Sequence, residues 1–462
     1  MERQSSGSGG RAPYHGRSPT VRWIAGPDAH GATADVTSIP EAERAASPLT
    51  GADAERRCRS CAAPLRRTFV DLGMSPLCES FLAPDQLDEM EPFYPLDVRI
   101  CERCLLVQLP AYVGSAEIFD EYAYFSSFSD SWVRHAGRYV EAMAERYELG
   151  PSSFVIEAAS NDGYLLQHVV RRGIRALGIE PAANVARAAV ERGVPTLVEF
   201  LGAESAARIV AEHGQADLVA ANNVFAHVPD VNDFSLGLAT LLKPEGTLTI
   251  EIPHLVRLIE GNQFDTIYHE HFSYYTLLTA EQILARAGLR VIEVEELQTH
   301  GGSLRLFAAH RADPRPADPG VAALRERERA AGYHELAGYD GFAARVAATK
   351  RDLLEFLIGA RRSGLRVAGY GAPGKGNTLL NYCGIRTDLL EFTVDRNPYK
   401  HGRFTPGTHI PIFDPERLAE ERPDYILILP WNLRREIVAQ LDYARDWGAR
   451  FVVPIPHLEV LP

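Results

Sequence analysis

Two stretches of this 462-residue chain read as a buried strand running into a small-residue turn and then an amphipathic helix, and this unit constrains the fold most. The first is SSFVIEAASNDGYLLQHVVRR, beginning at Ser152, and the second is LRVAGYGAPGKGNTLLNYCG, beginning at Leu365. Further apolar runs follow each one: Ala176–Glu180 and Asp217–Ala221 after the first, then Glu391–Asp395, Tyr425–Leu429 and Phe451–Val453 after the second. Strands alternating with helices predict parallel sheets covered on both faces, so the chain reads as α/β.

Composition sets the outer limits. With 46% hydrophobic and 24% charged residues the chain is an ordinary globular sequence of two to four domains, not a disordered chain or a small disulfide scaffold. Its formal net charge of −13 repels phosphate backbones and acidic membranes, which argues against nucleic acid as a partner. There is no apolar run of membrane-spanning length and no basic segment followed by an apolar core at the N-terminus, so a cytoplasmic protein is expected. A monomer or weak dimer is expected as well.

Residues 1–52 are rich in Gly, Ser, Ala, Arg and Pro, with no hydrophobic period, and read as a disordered leader. A small module is expected over 53–118, the first α/β domain over 119–311, and a helical connector with the second α/β domain over 312–462. The Pro-rich run ADPRPADPG at 312–320 marks the joint, and a charged helical stretch follows to Gly364.

Four of the six cysteines form two CxxC pairs, Cys58 with Cys61 and Cys101 with Cys104. Four thiolates satisfy tetrahedral zinc and leave no position for water, so the expected metal is structural zinc. A redox CxxC or two local disulfides are the competing readings. A redox motif needs only one pair, and a reducing compartment opposes disulfides.

The turn after Phe154 carries Glu157, Asn161, Asp162 and Gly163 in place of a GxGxxG phosphate cradle. Acidic and amide groups suit a cationic ligand bearing an amino acid better than a pyrophosphate. Glu180, at the next strand end, is placed to accept both hydroxyls of a ribose. Glu157 also reads as a cap of the turn, and Glu180 as a solvated strand end.

The run Tyr268-His269-Glu270-His271 packs two imidazoles, a carboxylate and a phenol among aromatic neighbours. General acid–base chemistry needs a neutral imidazole oriented by a carboxylate and sheltered from water, which His271 with Glu270 and Tyr268 offers. A metal on His269 and His271 and a purely structural turn are the other readings.

The turn at Glu157–Gly163 with DLVAANNVFAHVPD and LLKPEGTLTIEIP, from Asp217 and Leu241, resembles class I S-adenosylmethionine-dependent methyltransferases, Glu245 standing where a glycine is usual. Taken with the CxxC pairs, the YHEH run and GYGAPGKGN, the region from Cys58 to Pro462 resembles the C-methyltransferases of deoxysugar biosynthesis, which act on nucleotide-linked 4-keto-deoxyhexoses. The resemblance implies a zinc module, a central Rossmann-like methyltransferase domain and a C-terminal Rossmann-like domain. It implies cofactor contacts from Glu157, Ser160, Asn161, Gly163, Tyr164, Glu180, Pro181, Asn222 and Asn223. It makes His271 the base, with Tyr268 and Glu270 as partners, and thymidine diphosphate the substrate's carrier. Methylation then falls on the carbon beside the ketone, C3. The chemistry agrees: a carbonyl acidifies its neighbouring C–H, and the protein must remove that proton and stabilise the enolate.

Gly369-Tyr-Gly371-Ala-Pro-Gly374-Lys375-Gly376-Asn377 also satisfies GxGxxG, with Asp395 at the following strand end, which supports an NAD-dependent nucleotide-sugar oxidoreductase. Pro373 disturbs that turn, and Lys375 suits a diphosphate. By resemblance the loop holds the substrate's diphosphate through Lys375 and Asn377, with Asp395 nearby; a vestigial domain without ligand is the remaining reading. Phe119–Trp132 resembles the family's aromatic covering segment, within which Tyr124 and Ser126 are expected at the substrate, and His300 and Gly301 are assigned to the same pocket.

Overall fold

The first strand–turn–helix unit becomes the middle of a seven-stranded sheet in the computed structural model, which describes residues 56–114 and 125–462. The 1–52 leader and Tyr124 lie outside the described residues. In spatial order the strands are Leu289–Leu297, Ser303–His310, Leu242–Pro253, Ala216–Asn222, Phe154–Ala158, Arg175–Ile179 and Thr196–Leu197. The last five run parallel, and Ser303–His310 is antiparallel to both its neighbours. All five residues of Phe154–Ala158 are buried, as a parallel strand covered on both faces requires. Successive strands leave Phe154–Ala158 first to one side and then to the other. That reversal opens a crevice at the strand ends where α/β sheets bind ligands, and the architecture is the Rossmann-like methyltransferase arrangement expected from the sequence.

The segment between the CxxC pairs folds as strands rather than as an irregular insertion. Arg67–Ser75, Tyr94–Ile100 and Val107–Gln108 form an antiparallel sheet completed by Ser273–Tyr274, which directly follows His271. Hydrogen bonds pin the first knuckle to the central domain: Arg59 donates to the Pro229 carbonyl at 2.9 Å, and Asn232 donates back to the Arg59 carbonyl at 3.0 Å.

The second unit builds a six-stranded sheet in the order Ile412–Phe413, Thr393–Val394, Val367–Tyr370, Tyr425–Ile428, Arg450–Val453 and Glu459–Leu461. Five strands are parallel and the last is antiparallel. The charged stretch before it forms two helices, Pro319–Ala330 and Phe342–Arg362, the second ending before Gly364 at φ +72°. Phe342 is fully buried and stacks on Phe69 of the cysteine module, with centroids 4.8 Å apart. Burying such a side chain contributes about 1.5–3 kcal/mol, so the long helix fastens the module to the C-terminal domain. Among the described residues no helix is long and apolar enough to cross a membrane.

Candidate active site

The four CxxC sulfurs lie within 4.8 Å of one another, with Cys58 and Cys104 at 3.5 Å and Cys61 and Cys101 at 3.5 Å. Sulfurs at tetrahedral vertices about 2.3 Å from zinc stand about 3.8 Å apart, so the cluster fits the ion. None of the four is in a disulfide. Gln108 donates to the Cys58 sulfur at 3.2 Å, a second-layer contact of the kind that orients a ligand. Four thiolates fill the coordination sphere, and this is a structural zinc site.

One cavity of about 590 Å³ opens at the crevice of the central sheet. At one end it is lined by Asn161, Tyr164, Glu180, Pro181, Asn222 and Asn223, with Phe200 and Leu201 beside them. The Glu180 carboxylate accepts from the Asn161 and Ala182 backbone N–H groups, each at 2.9 Å. Burial raises its pKa, while these two bonds oppose the shift. Each carboxylate oxygen keeps a further lone pair, which suits ribose hydroxyls. Asn161 takes φ +50°, a left-handed conformation in which asparagine is enriched, and its side chain accepts from the Ser126 N–H at 2.9 Å. Asp162 turns away from the cavity into an ion pair with Arg192 at 2.6 Å. The polar and apolar groups at this end match the sulfonium amino acid, ribose and adenine of S-adenosylmethionine.

The cavity is also lined by Tyr268, Glu270, His271, His227, His300 and Lys375, so side chains distant in sequence share one chamber with Asn161 and Glu180. His271 donates from Nδ1 to the Thr266 carbonyl at 2.7 Å. That bond leaves Nε2 as the basic nitrogen. Burial pushes its pKa well below 6.5, and the neighbouring His227, with ring centroid 4.7 Å away, adds to the effect. The Tyr268 ring lies 4.0 Å from that of His271, and burial raises its phenol well above 10, which keeps it a proton donor. Glu270 accepts from the Cys78 thiol at 4.0 Å. His269 points elsewhere, edge-on to Tyr94 at 5.7 Å, and among the described residues the only cluster of three or more potential metal ligands is the cysteine group.

A buried carboxylate supports the turn that carries His300. Glu251 accepts from His135 at 3.1 Å, Arg305 at 2.9 Å and Thr299 at 3.0 Å. Burial opposes its charge, but His135 and Arg305 hold its pKa below the usual value. The bond to Thr299 anchors the turn in which His300 adopts φ +54°, and Trp132 stacks on His135 and meets His300 edge-on.

Several predicted residues stand outside the cavity lining. Glu157 and Ser160 are buried. Gly163, at φ +76°, packs so closely on Val194 that a Cβ would meet it at 3.0 Å. Gly301 is crowded by Gln263 in the same way. Asn377 is buried and donates to the Cys78 carbonyl at 2.6 Å, tying the cysteine module to the C-terminal helix Gly374–Cys383. Asp395 accepts from the Ala372 and Asn397 backbone N–H groups at 2.7 and 2.8 Å. Lys375 reaches Asn432 at 2.9 Å; burial lowers its pKa, partly offset by Asp265. The sequence reading missed His227, although it sits in the AHVPD motif beside the called asparagines, and Phe200 and Leu201, whose loop carries no motif.

Family profiles match across the chain: a domain described as zinc binding over 58–119, a methyltransferase domain over 132–294, and a C-methyltransferase C-terminal domain over 298–456. C-methyltransferase NovU of Streptomyces niveus is 37% identical over 404 residues, covering 87% of this chain and 96% of the relative. Among solved structures, the PH0226 protein of Pyrococcus horikoshii aligns over 40% of this chain and 94% of its own, at 13% identity and TM-score 0.34. Magnesium protoporphyrin IX methyltransferase of Synechocystis aligns over 42% of this chain and 88% of its own, at 15% identity and TM-score 0.30.

Proposed function

The chain belongs to the C-methyltransferase family, and on that premise we propose that this S-adenosylmethionine-dependent enzyme methylates C3, beside the ketone, of a nucleotide-linked 4-keto-deoxyhexose. Thymidine diphosphate is the proposed carrier. The observation that carries the reading is the single cavity in which the cofactor residues and the His271 imidazole face the same space.

Asn161, Tyr164, Glu180, Asn222 and Asn223 hold the cofactor in this reading. Bound S-adenosylmethionine supplies a methyl group already activated on a sulfonium sulfur. The chain's own task is to make a carbon nucleophilic. His271, neutral and with Nδ1 committed to Thr266, removes the proton beside the ketone through Nε2. Tyr268, held as a phenol, and neutral His227 lie within reach of the same substrate and donate to the enolate oxygen as charge develops. Glu270, expected to orient the base, lines the same cavity and accepts from the Cys78 thiol, and the Thr266 carbonyl orients the ring instead. Lys375, at the mouth of the C-terminal turn, faces the diphosphate.

Proton abstraction can be read apart from methylation. In D2O with S-adenosylhomocysteine and a thymidine diphosphate 4-keto-deoxyhexose, NMR should show deuterium entering the C–H beside the ketone with the native enzyme and not with His271→Ala. Equal exchange in both would remove His271 from the role of base.

A further inference from the structure

In the proposed reading the cavity receives the sugar and the diphosphate, which leaves the nucleobase to be placed. Outside the cavity lining two large aromatic side chains stand in solvent: Phe128 is 58% exposed and Tyr399 is 71% exposed. Their rings stack with centroids 5.9 Å apart and planes 15° from parallel. They come from different domains, Phe128 from the turn Ser126–Phe128 and Tyr399 from the turn Pro398–Lys400.

Both mounts lead back to the cavity. On the central domain, Ser126 lines the cavity and its N–H is held by Asn161, while Ser127 is fixed by Asp162 and accepts from Arg192 at 2.8 Å. On the C-terminal domain, the Tyr399 N–H donates to Asn397 at 3.0 Å. The adjacent Lys400 donates to the Ala372 carbonyl at 2.7 Å and lies 3.7 Å from Glu79, itself a cavity-lining residue. Lys400 therefore touches the turn that carries Lys375. The aromatic pair stands at the rim, fixed from below on both sides: Phe125 packs against Phe128 with centroids 5.3 Å apart, and Tyr399 is the more exposed ring.

We propose that Phe128 and Tyr399 are the stacking platform for the nucleobase of the substrate, an inference that rests on the nucleotide-sugar reading. Such a substrate is linear, running from sugar through diphosphate and ribose to base. With the sugar at His271 and the diphosphate at Lys375, the base emerges at the rim. Every nucleobase offers a π-face, and stacking on an aromatic side chain needs no hydrogen-bond code. The exposed Tyr399 ring, backed by Phe128 and beside Lys400, meets that requirement, while the adenine of the cofactor has its own place near Phe200 and Leu201.

The test is equilibrium binding of thymidine 5′-monophosphate and of 2-deoxyribose 5-phosphate, which lacks the base, to the full chain. The native protein should prefer the nucleotide by about tenfold or more, the scale of one base–aromatic stack. In Tyr399→Leu and Phe128→Leu, both surface changes, that preference should collapse while S-adenosylhomocysteine binds as before. A base preference that survives both substitutions overturns the platform and leaves the nucleotide-sugar reading standing. A native protein that binds neither phosphate, or binds both equally, overturns the two together. Loss of S-adenosylhomocysteine binding in the variants would assign the rings to the cofactor instead, and also overturns the proposal.

Discussion

His271 donates from Nδ1 to the backbone carbonyl of Thr266 at 2.7 Å, and this one bond selects the imidazole's tautomer. The acceptor is a carbonyl that cannot titrate, so Nε2 stays free of the proton and available to take one from substrate. Removing the ring should cost about 10²–10⁴ in turnover, the range for a positioned general base. His271→Ala should keep its affinity for S-adenosylmethionine by calorimetry, because Glu180 and the asparagines that line the cofactor end are untouched.

The pH profile follows from the same burial. Burial and His227 lower the His271 pKa well below 6.5, and burial lowers those of His227 and His300 to about 4. A base acts when neutral, so kcat/KM should be level across pH 7 and fall only on acidification below the ordinary histidine range. An acid limb centred at 6.5 or above would mean that His271 is exposed to water in the working enzyme.

Glu180→Gln keeps the shape of the side chain and removes its charge. Hydrogen bonds to a charged group contribute about 1.5–3 kcal/mol, so the dissociation constant for S-adenosylmethionine should rise about 10- to 100-fold. Turnover at saturating cofactor should change far less. Titration calorimetry and initial rates separate the two.

The zinc site stands two short strands from the loop that carries His271. Cys101 and Cys104 occupy the turn between Tyr94–Ile100 and Val107–Gln108, and the latter pairs with Ser273–Tyr274 just after His271. Metal analysis should give one zinc per chain. Cys104→Ser should lower the metal content and the melting temperature, and activity with them, although none of the four cysteines lines the cavity. Full activity and native melting without zinc would contradict that linkage.

Arg305 and Glu251 form a buried ion pair at 2.9 Å, and Glu251 also receives His135 and Thr299. Glu251→Ala would leave Arg305 with Glu295, at 2.7 Å, as its carboxylate partner, so the loss should fall below the about 3–5 kcal/mol of a buried pair broken outright. Chemical denaturation should show that loss, with Glu251→Gln less severe because the amide oxygen still accepts.

What could be read in advance was local. The cysteine pairs and the strand ends at Glu180 and Asn222 depend on short spacings, and the strand–turn–helix periods of both sheets survive in sequence. Pairings across the chain left no such trace: Ser273–Tyr274 joins a sheet begun some two hundred residues earlier, which neither stretch announces alone. Asp395 and Asn377 show the opposite difficulty. Their positions in a GxGxxG-like unit suggest ligand contacts, yet neither lines the cavity, and they bond to backbone groups of Ala372, Asn397 and Cys78 instead. Phe200 and Leu201 form an apolar wall by tertiary placement alone.

The most direct test of the account is mass spectrometry of a reaction containing the enzyme, S-adenosylmethionine and a panel of thymidine diphosphate 4-keto-deoxysugars, with His271→Ala in parallel. The account predicts the mass gain of one methyl group on at least one sugar, located at C3 by NMR and absent with the variant. Methylation at an oxygen, or an equal gain with His271→Ala, would contradict it.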